Sequence, residues 1–131
     1  MYLIDSSAWV EYFRAKGSEK VKSRVREILQ REEAAACGII IVEILRGARN
    51  EKEFQALSDS LTSLPQIPLD EEVVSRASRW GFSLDRKGKT VSTTDLLIAS
   101  AAYPHSRLLH ADSDFEIISS VVDLKHEKLD P

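Results

Sequence analysis

Two short apolar runs, each closed by an acidic residue, constrain this chain most: Tyr2-Leu3-Ile4 runs into Asp5, and Leu108-Leu109-His110-Ala111 runs into Asp112. Runs of this length are strands, and the sequence between them carries apolar residues at helical spacing instead. Strands alternating with helices predict an α/β fold: a three-layer α/β/α sandwich around a mostly parallel central sheet. In such sheets ligands bind beyond the carboxyl ends of the strands, where both Asp5 and Asp112 fall.

The helical segments follow from their apolar faces and caps. Ser6 and Ser7 are read as the cap of a first helix carrying Trp9, Val10 and Phe13. Val21, Val25, Ile28 and Leu29 mark a second helix, capped by Ser18 and reaching Arg31. After a short strand over Ala34 to Cys37, Ile39 to Arg49 reads as a third helix, apolar all round in its first half and therefore buried. Leu57, Leu61 and Leu64 line a fourth, ended by Pro65, with a short strand expected at Ile67 to Leu69. Val73, Ala77, Trp80 and Leu84 mark a fifth, weakened in its middle by Gly81. Thr93 or Thr94 is expected to cap a sixth, Asp95 to Tyr103, stopped by Pro104. A short helix over Ser113 to Ser119 and a last strand over Val121 to Leu124 complete the pattern.

A length of 131 residues, with neither linker nor repeat, fits one compact domain spanning residues 1–131. At 43% hydrophobic and 30% charged residues the chain is globular rather than disordered. Asp5 breaks the N-terminal apolar run too early for a signal peptide, and no stretch reaches transmembrane length, so a cytoplasmic protein with no membrane association is expected. Cys37 is the single cysteine, which excludes an internal disulfide and a cysteine metal cluster. A net charge of −3 gives no global signature of nucleic-acid binding. Basic stretches occur at Arg14, Lys16, Lys20, Lys22, Arg24 and Arg26, and at Arg76, Arg79, Arg86, Lys87 and Lys89, and read mostly as solvated helix faces.

The acidic residues carry the chemistry. Glu43 interrupts Ile39-Ile40-Ile41-Val42 and Ile44-Leu45, and a carboxylate on a buried helix must be protonated, paired with a base such as Arg46 or Arg49, or bound to a cation. Asp95 opens an apolar helix, where the helix dipole alone favours an acid. Asp5, Glu43, Asp95 and Asp112, drawn from separated parts of the chain, suit the hard cations Mg²⁺ and Mn²⁺, which take carboxylates and water. Such a site serves phosphoryl chemistry. Asp114 neighbours Asp112 and is not separable from it by position. His105 and His126 read as surface residues and His110 as a structural strand residue. Trp9 and Trp80 read as core or dimer-interface residues.

These residues resemble a known family, the PIN-domain ribonucleases, and among them the VapC-type toxins of bacterial toxin–antitoxin pairs. Tyr2-Leu3-Ile4-Asp5-Ser6-Ser7-Ala8-Trp9 is similar to the family's opening strand and turn, and Val42-Glu43-Ile44-Leu45-Arg46-Gly47-Ala48 to its second acidic motif. Thr94-Asp95-Leu96-Leu97-Ile98-Ala99 and Leu108-Leu109-His110-Ala111-Asp112-Ser113-Asp114-Phe115 are similar to the third and fourth. Ser6, Ser100 and Ser106 depart mildly from the family pattern and leave the acidic set intact. The resemblance implies a Mg²⁺- or Mn²⁺-dependent endoribonuclease, with Asp5, Glu43, Asp95 and Asp112 as metal-site carboxylates and Asp114 as a further catalytic candidate. It also implies Ser7 at the site, holding a carboxylate or contacting phosphate, an RNA substrate met also by Arg46, a homodimer, and a cognate antitoxin whose tail covers the site. Two other readings stand beside it. One is a phosphohydrolase using Asp5 as covalent nucleophile, although Ser7 occupies the position where that pattern needs a second Asp. The other is a PIN-like module that binds RNA without cutting it.

Overall fold

The computed structural model describes residues 1–131. The first run forms strand β1 (Tyr2–Ile4), followed by helices α1 (Ser6–Phe13) and α2 (Glu19–Gln30). Strand β2 (Ala34–Ala35) leads into α3 (Gly38–Leu45), α4 (Glu51–Thr62), α5 (Glu71–Arg86) and α6 (Thr93–Ala102). Strand β3 (Arg107–His110), helix α7 (Asp114–Ser119) and strand β4 (His126–Lys128) complete the chain.

The sheet is wholly parallel, in the order β2-β1-β3-β4. Tyr2 pairs with Ala34 on one side and Arg107 on the other, and Leu108 pairs with His126. Successive strand residues point to opposite faces, yet Leu3, Ile4, Leu108 and Leu109 are all completely buried. Both faces of the sheet are therefore covered, and the three layers expected from the sequence are present. The chain leaves β1 toward β2 at one edge and returns through β3 to β4 at the other. Right-handed crossovers then send the connecting helices to opposite faces, and a crevice opens between the carboxyl ends of β1 and β3.

Several boundaries differ from the sequence expectations. Asp5, rather than Ser6 or Ser7, caps α1, because its carboxylate accepts the Ser7 backbone N–H. Ser92, rather than a threonine, caps α6 by accepting from the Asp95 backbone N–H. Residues Ile67 to Leu69 form no strand; a single parallel bridge joins Ala36 to Gln66. The last strand is His126–Lys128 and not Val121 to Leu124, whose Val121 and Val122 pack against the core from a turn. Helix α3 stops at Leu45 and is buried along one side only: Ile40 and Ile44 enter the core, while Val42 is 63% exposed.

Gly81 is a packing requirement in α5. A Cβ there would lie 2.9 Å from Leu96 Cδ1, so the missing side chain lets α6 come close. Arg76 fastens the same helix pair. Its guanidinium donates to Ser100 Oγ, the Ser100 carbonyl and the Tyr103 carbonyl, and the Ser100 hydroxyl donates to the Val73 carbonyl. This explains a fully buried serine on an otherwise apolar helix, and it anchors the far end of the helix whose first turn carries Asp95.

Candidate metal centre

The crevice between β1 and β3 is held by one hydroxyl. Ser7 Oγ donates to Asp5 Oδ2 at 2.6 Å and accepts the Ala111 backbone N–H at 3.0 Å, so the residues following the two central strands are tied together. Asp5 is buried, with its N–H donating to the Leu109 carbonyl at 2.9 Å. Its Oδ2 accepts from both the amide and the hydroxyl of Ser7, whereas Oδ1 is buried with no hydrogen-bond partner. A buried carboxylate oxygen left alone costs about 1–3 kcal/mol or more, and a cation is the group that would relieve it.

Helix α6 and the β3–α7 turn bring the other acids together. Carboxylate oxygens of Asp95, Asp112 and Asp114 all lie within 4.8 Å of one another. Within the turn, Asp112 Oδ1 accepts the Asp114 backbone N–H at 3.0 Å, which fixes that carboxylate. Asp114, inseparable from Asp112 in the sequence, is a full member of this group.

Glu43 corrects an expectation. It is exposed at the rim rather than enclosed in a buried helix, because α3 turns only its Ile40–Ile44 side inward. Neither Arg46 nor Arg49 forms an ion pair with it; Arg49 instead pairs with Glu53 at 3.1 Å. Glu43 Oε1 accepts from Ser6 Oγ at 3.2 Å, a contact that links it to the turn carrying Asp5. Arg46 is exposed at the end of α3, beside Glu43.

The electrostatics show that these acids share one space. Asp95 is pushed up to about 7, first by desolvation, then by the charges of Asp5 and Asp112 and a hydrogen bond with Asp114. Desolvation raises Asp5, with Asp112 adding to it, and desolvation followed by the charge of Asp5 raises Glu43. Packing acidic groups until one is about half protonated at neutral pH is unfavourable for a protein by itself. Together with the lone Oδ1 of Asp5 and an all-oxygen donor set, it fits a hard divalent cation.

Two clefts border the centre. On the Glu43 side, one of about 600 Å³ runs between α1, α3 and α4 and is lined by Val10, Phe13, Ile44 and Leu57 among others. On the Asp112 side, one of about 610 Å³ is lined by Lys89, Thr90, Ser113 and Ser120. Two contacts escaped the sequence reading: that of Ser6, read as a cap, with Glu43, and that of His110 with His126. His126, read as a surface residue, is half-buried in the edge strand β4, against His110. Its only sequence signal was polarity near the chain's end, which does not distinguish a strand from a tail.

A doubly wound parallel sheet with acids from the end of β1, α3, α6 and the β3–α7 turn near its switch point defines a class of protein, the α/β domains with an acidic centre suited to a divalent cation. The chain belongs to the PIN domain family, whose model matches residues 2–120. It is 40% identical over 130 residues to ribonuclease VapC11 of Mycobacterium tuberculosis and to VapC ribonuclease Mb1587 of Mycobacterium bovis, covering 95% of this chain and 96% of each relative. Among solved structures, VapBC2 from Rickettsia felis, bound to a DNA fragment from its promoter, matches with a TM-score of 0.79 at 21% identity over 98% of both chains. FitAcB from Neisseria gonorrhoeae matches with a TM-score of 0.75 at 19% identity over 96% of both. These two likenesses establish the fold, in agreement with the sheet described above.

Proposed function

We propose that this chain is a metal-dependent endoribonuclease and the toxin of a toxin–antitoxin pair, using Mg²⁺ or Mn²⁺ held by Asp5, Glu43, Asp95, Asp112 and Asp114. The observation that carries the reading is a shared acidic site: Asp95, Asp112 and Asp114 lie within 4.8 Å of one another, the charge of Asp5 acts on Asp95 and Glu43, and a buried Asp5 oxygen has no protein partner. When bound, a divalent cation screens the anionic phosphodiester and lowers the pKa of water, so that a nucleophile forms near neutral pH.

The chain's own residues prepare that site. The Ser7 amide and hydroxyl hold Asp5 Oδ2, and the unpartnered Oδ1 would be free to hold a cation. Asp112 Oδ1 is held by the Asp114 amide. Asp95, raised to about 7, would have to be ionised to hold a cation, so metal binding would strengthen as pH rises through about 7. Lys89, in the cleft reaching Ser113, and the neighbouring Arg86 and Lys87 attract the RNA backbone. Arg46, exposed beside Glu43, meets the same strand at the opposite rim. The apolar cleft bordering Glu43 suits an antitoxin segment with apolar anchors and a basic residue reaching the acids. Val74 and Phe82, exposed two turns apart on α5, supply an apolar face for a homodimer. No helix is long and apolar enough to cross a membrane, which accords with a cytoplasmic site of action on RNA.

The test incubates the purified chain, freed of any partner, with total cellular RNA in Mn²⁺, Mg²⁺ or EDTA, beside Asp95→Asn. Discrete fragments that require metal and are absent from the variant are expected. RNA left intact under every condition would transfer the reading to a module that binds without cutting.

A further inference from the structure

His110 is completely buried at the end of β3, and the site described above makes no use of it. Both of its ring nitrogens are engaged. Nδ1 lies 3.2 Å from the Asp112 backbone nitrogen and accepts its N–H, so Nδ1 carries no proton. The ring is then neutral with its proton on Nε2, and that proton is donated to His126 Nδ1 at 2.9 Å. The reverse direction is not available, because a proton on His110 Nδ1 would confront the Asp112 N–H. The two rings stack at 5.2 Å with 17° between their planes, and Phe115 of α7 packs on His110 at 4.8 Å. The parallel register explains the meeting: His126 stands opposite Leu108, whose side chain shares a sheet face with that of His110.

We infer that His126 and His110 are positioning residues for the metal centre, acting in series on the turn that carries Asp112 and Asp114. This rests on the metal-site reading above. His126 accepts the Nε2 proton of His110 and holds its ring in place, and His110 in turn holds the Asp112 amide. Asp112 Oδ1 in turn accepts the Asp114 amide, and the Asp112 carboxylate so held lies within 4.8 Å of those of Asp95 and Asp114. The series runs from the edge strand β4 to the donor oxygens without touching substrate. It differs from the usual support of a metal site, in which a histidine is itself the ligand.

The experiment compares wild type, His126→Ala and His126→Asn, the last keeping an oxygen acceptor for His110 Nε2–H. Mn²⁺ affinity is measured by calorimetry without RNA, and the ¹⁵N–¹H correlations of the imidazoles are recorded on the metal-free wild type. His110 protonated on Nε2 is expected, with Mn²⁺ binding about tenfold weaker in His126→Ala, as for the loss of other groups that orient ligands, and restored to within about twofold in His126→Asn. Mn²⁺ binding by His126→Ala equal to that of wild type, or a proton found on His110 Nδ1, overturns the series while leaving the metal site standing. A wild-type chain that binds no Mn²⁺ overturns the metal site itself, and this inference with it. The tautomer is read on the native chain, so the inference can fail even where a variant does not fold.

Discussion

Replacing Asp95 by Asn should make the metal-free protein more stable at pH 8 while ending its activity. Asp95 is raised from 3.8 to about 7, a change of roughly three units at about 1.4 kcal/mol each. A half-exposed side chain is screened by solvent, so about 1–2 kcal/mol of that is expressed as strain in the ionised form. A carboxylate whose pKa is raised on folding contributes stability that is whole below about pH 4 and is lost as pH rises through about 7. The acid also sits in the first turn of α6, where the helix dipole returns about 0.3–1 kcal/mol to the charged form. Repulsion exceeds this, and the net gain for Asp95→Asn at pH 8 is about 1 kcal/mol, or about 3–5 °C in Tm for a domain of this size. At pH 4, where Asp95 is protonated in the folded state and only partly ionised in the unfolded one, wild type and variant should melt nearly together. Thermal unfolding in EDTA at both pH values measures the difference, and added Mn²⁺ should then raise the wild-type Tm far more than the variant's. A variant less stable than wild type at pH 8, or one that still cuts RNA, would refute the argument that mutually repelling acids are held together for a cation.

Asp5→Asn keeps the cap on α1 but lowers the charge on the buried oxygen; cleavage should fall at least about a hundredfold with the far-ultraviolet circular dichroism unchanged. Ser7→Ala removes the hydroxyl shared by Asp5 and the Ala111 amide, and urea unfolding should show a loss of about 1–3 kcal/mol together with weaker Mn²⁺ binding. Arg76→Ala strips donors from Ser100 and Tyr103 and should cost about 2–3 kcal/mol by the same assay. Because Arg76 lies at the opposite end of α6 from Asp95, Mn²⁺ affinity per folded molecule should hold.

The parts of this molecule that were legible in the sequence are those where burial and chemistry wrote the same signal. Asp5 and Asp112 end apolar strands buried on both faces, so their place at the carboxyl edge followed directly. Glu43 was found for a reason the structure does not support. Its apolar neighbours suggested enclosure, yet an eight-residue helix has only one inward side, and the exposed Val42 lies on another. The caps of α1 and α6 shifted by one or a few residues because several hydroxyls and acids competed, and only backbone geometry decides which side chain reaches the free amides. The pairing of His110 with His126 depends on the β3–β4 register, which leaves no mark on either segment alone.

The open edges of the sheet bear on how this chain survives in a crowded solution. Strand β2 is only two residues long, and β4 presents His126, Glu127 and Lys128, with Glu127 bound to Arg24 at 2.8 Å and Lys128 to Glu116 at 3.0 Å. Strands that are short and tied into charged pairs make poor templates for another sheet, so neighbouring copies gain little by stacking edge to edge. The polarity that hid β4 from a hydrophobicity reading is thus a guard against fibrils.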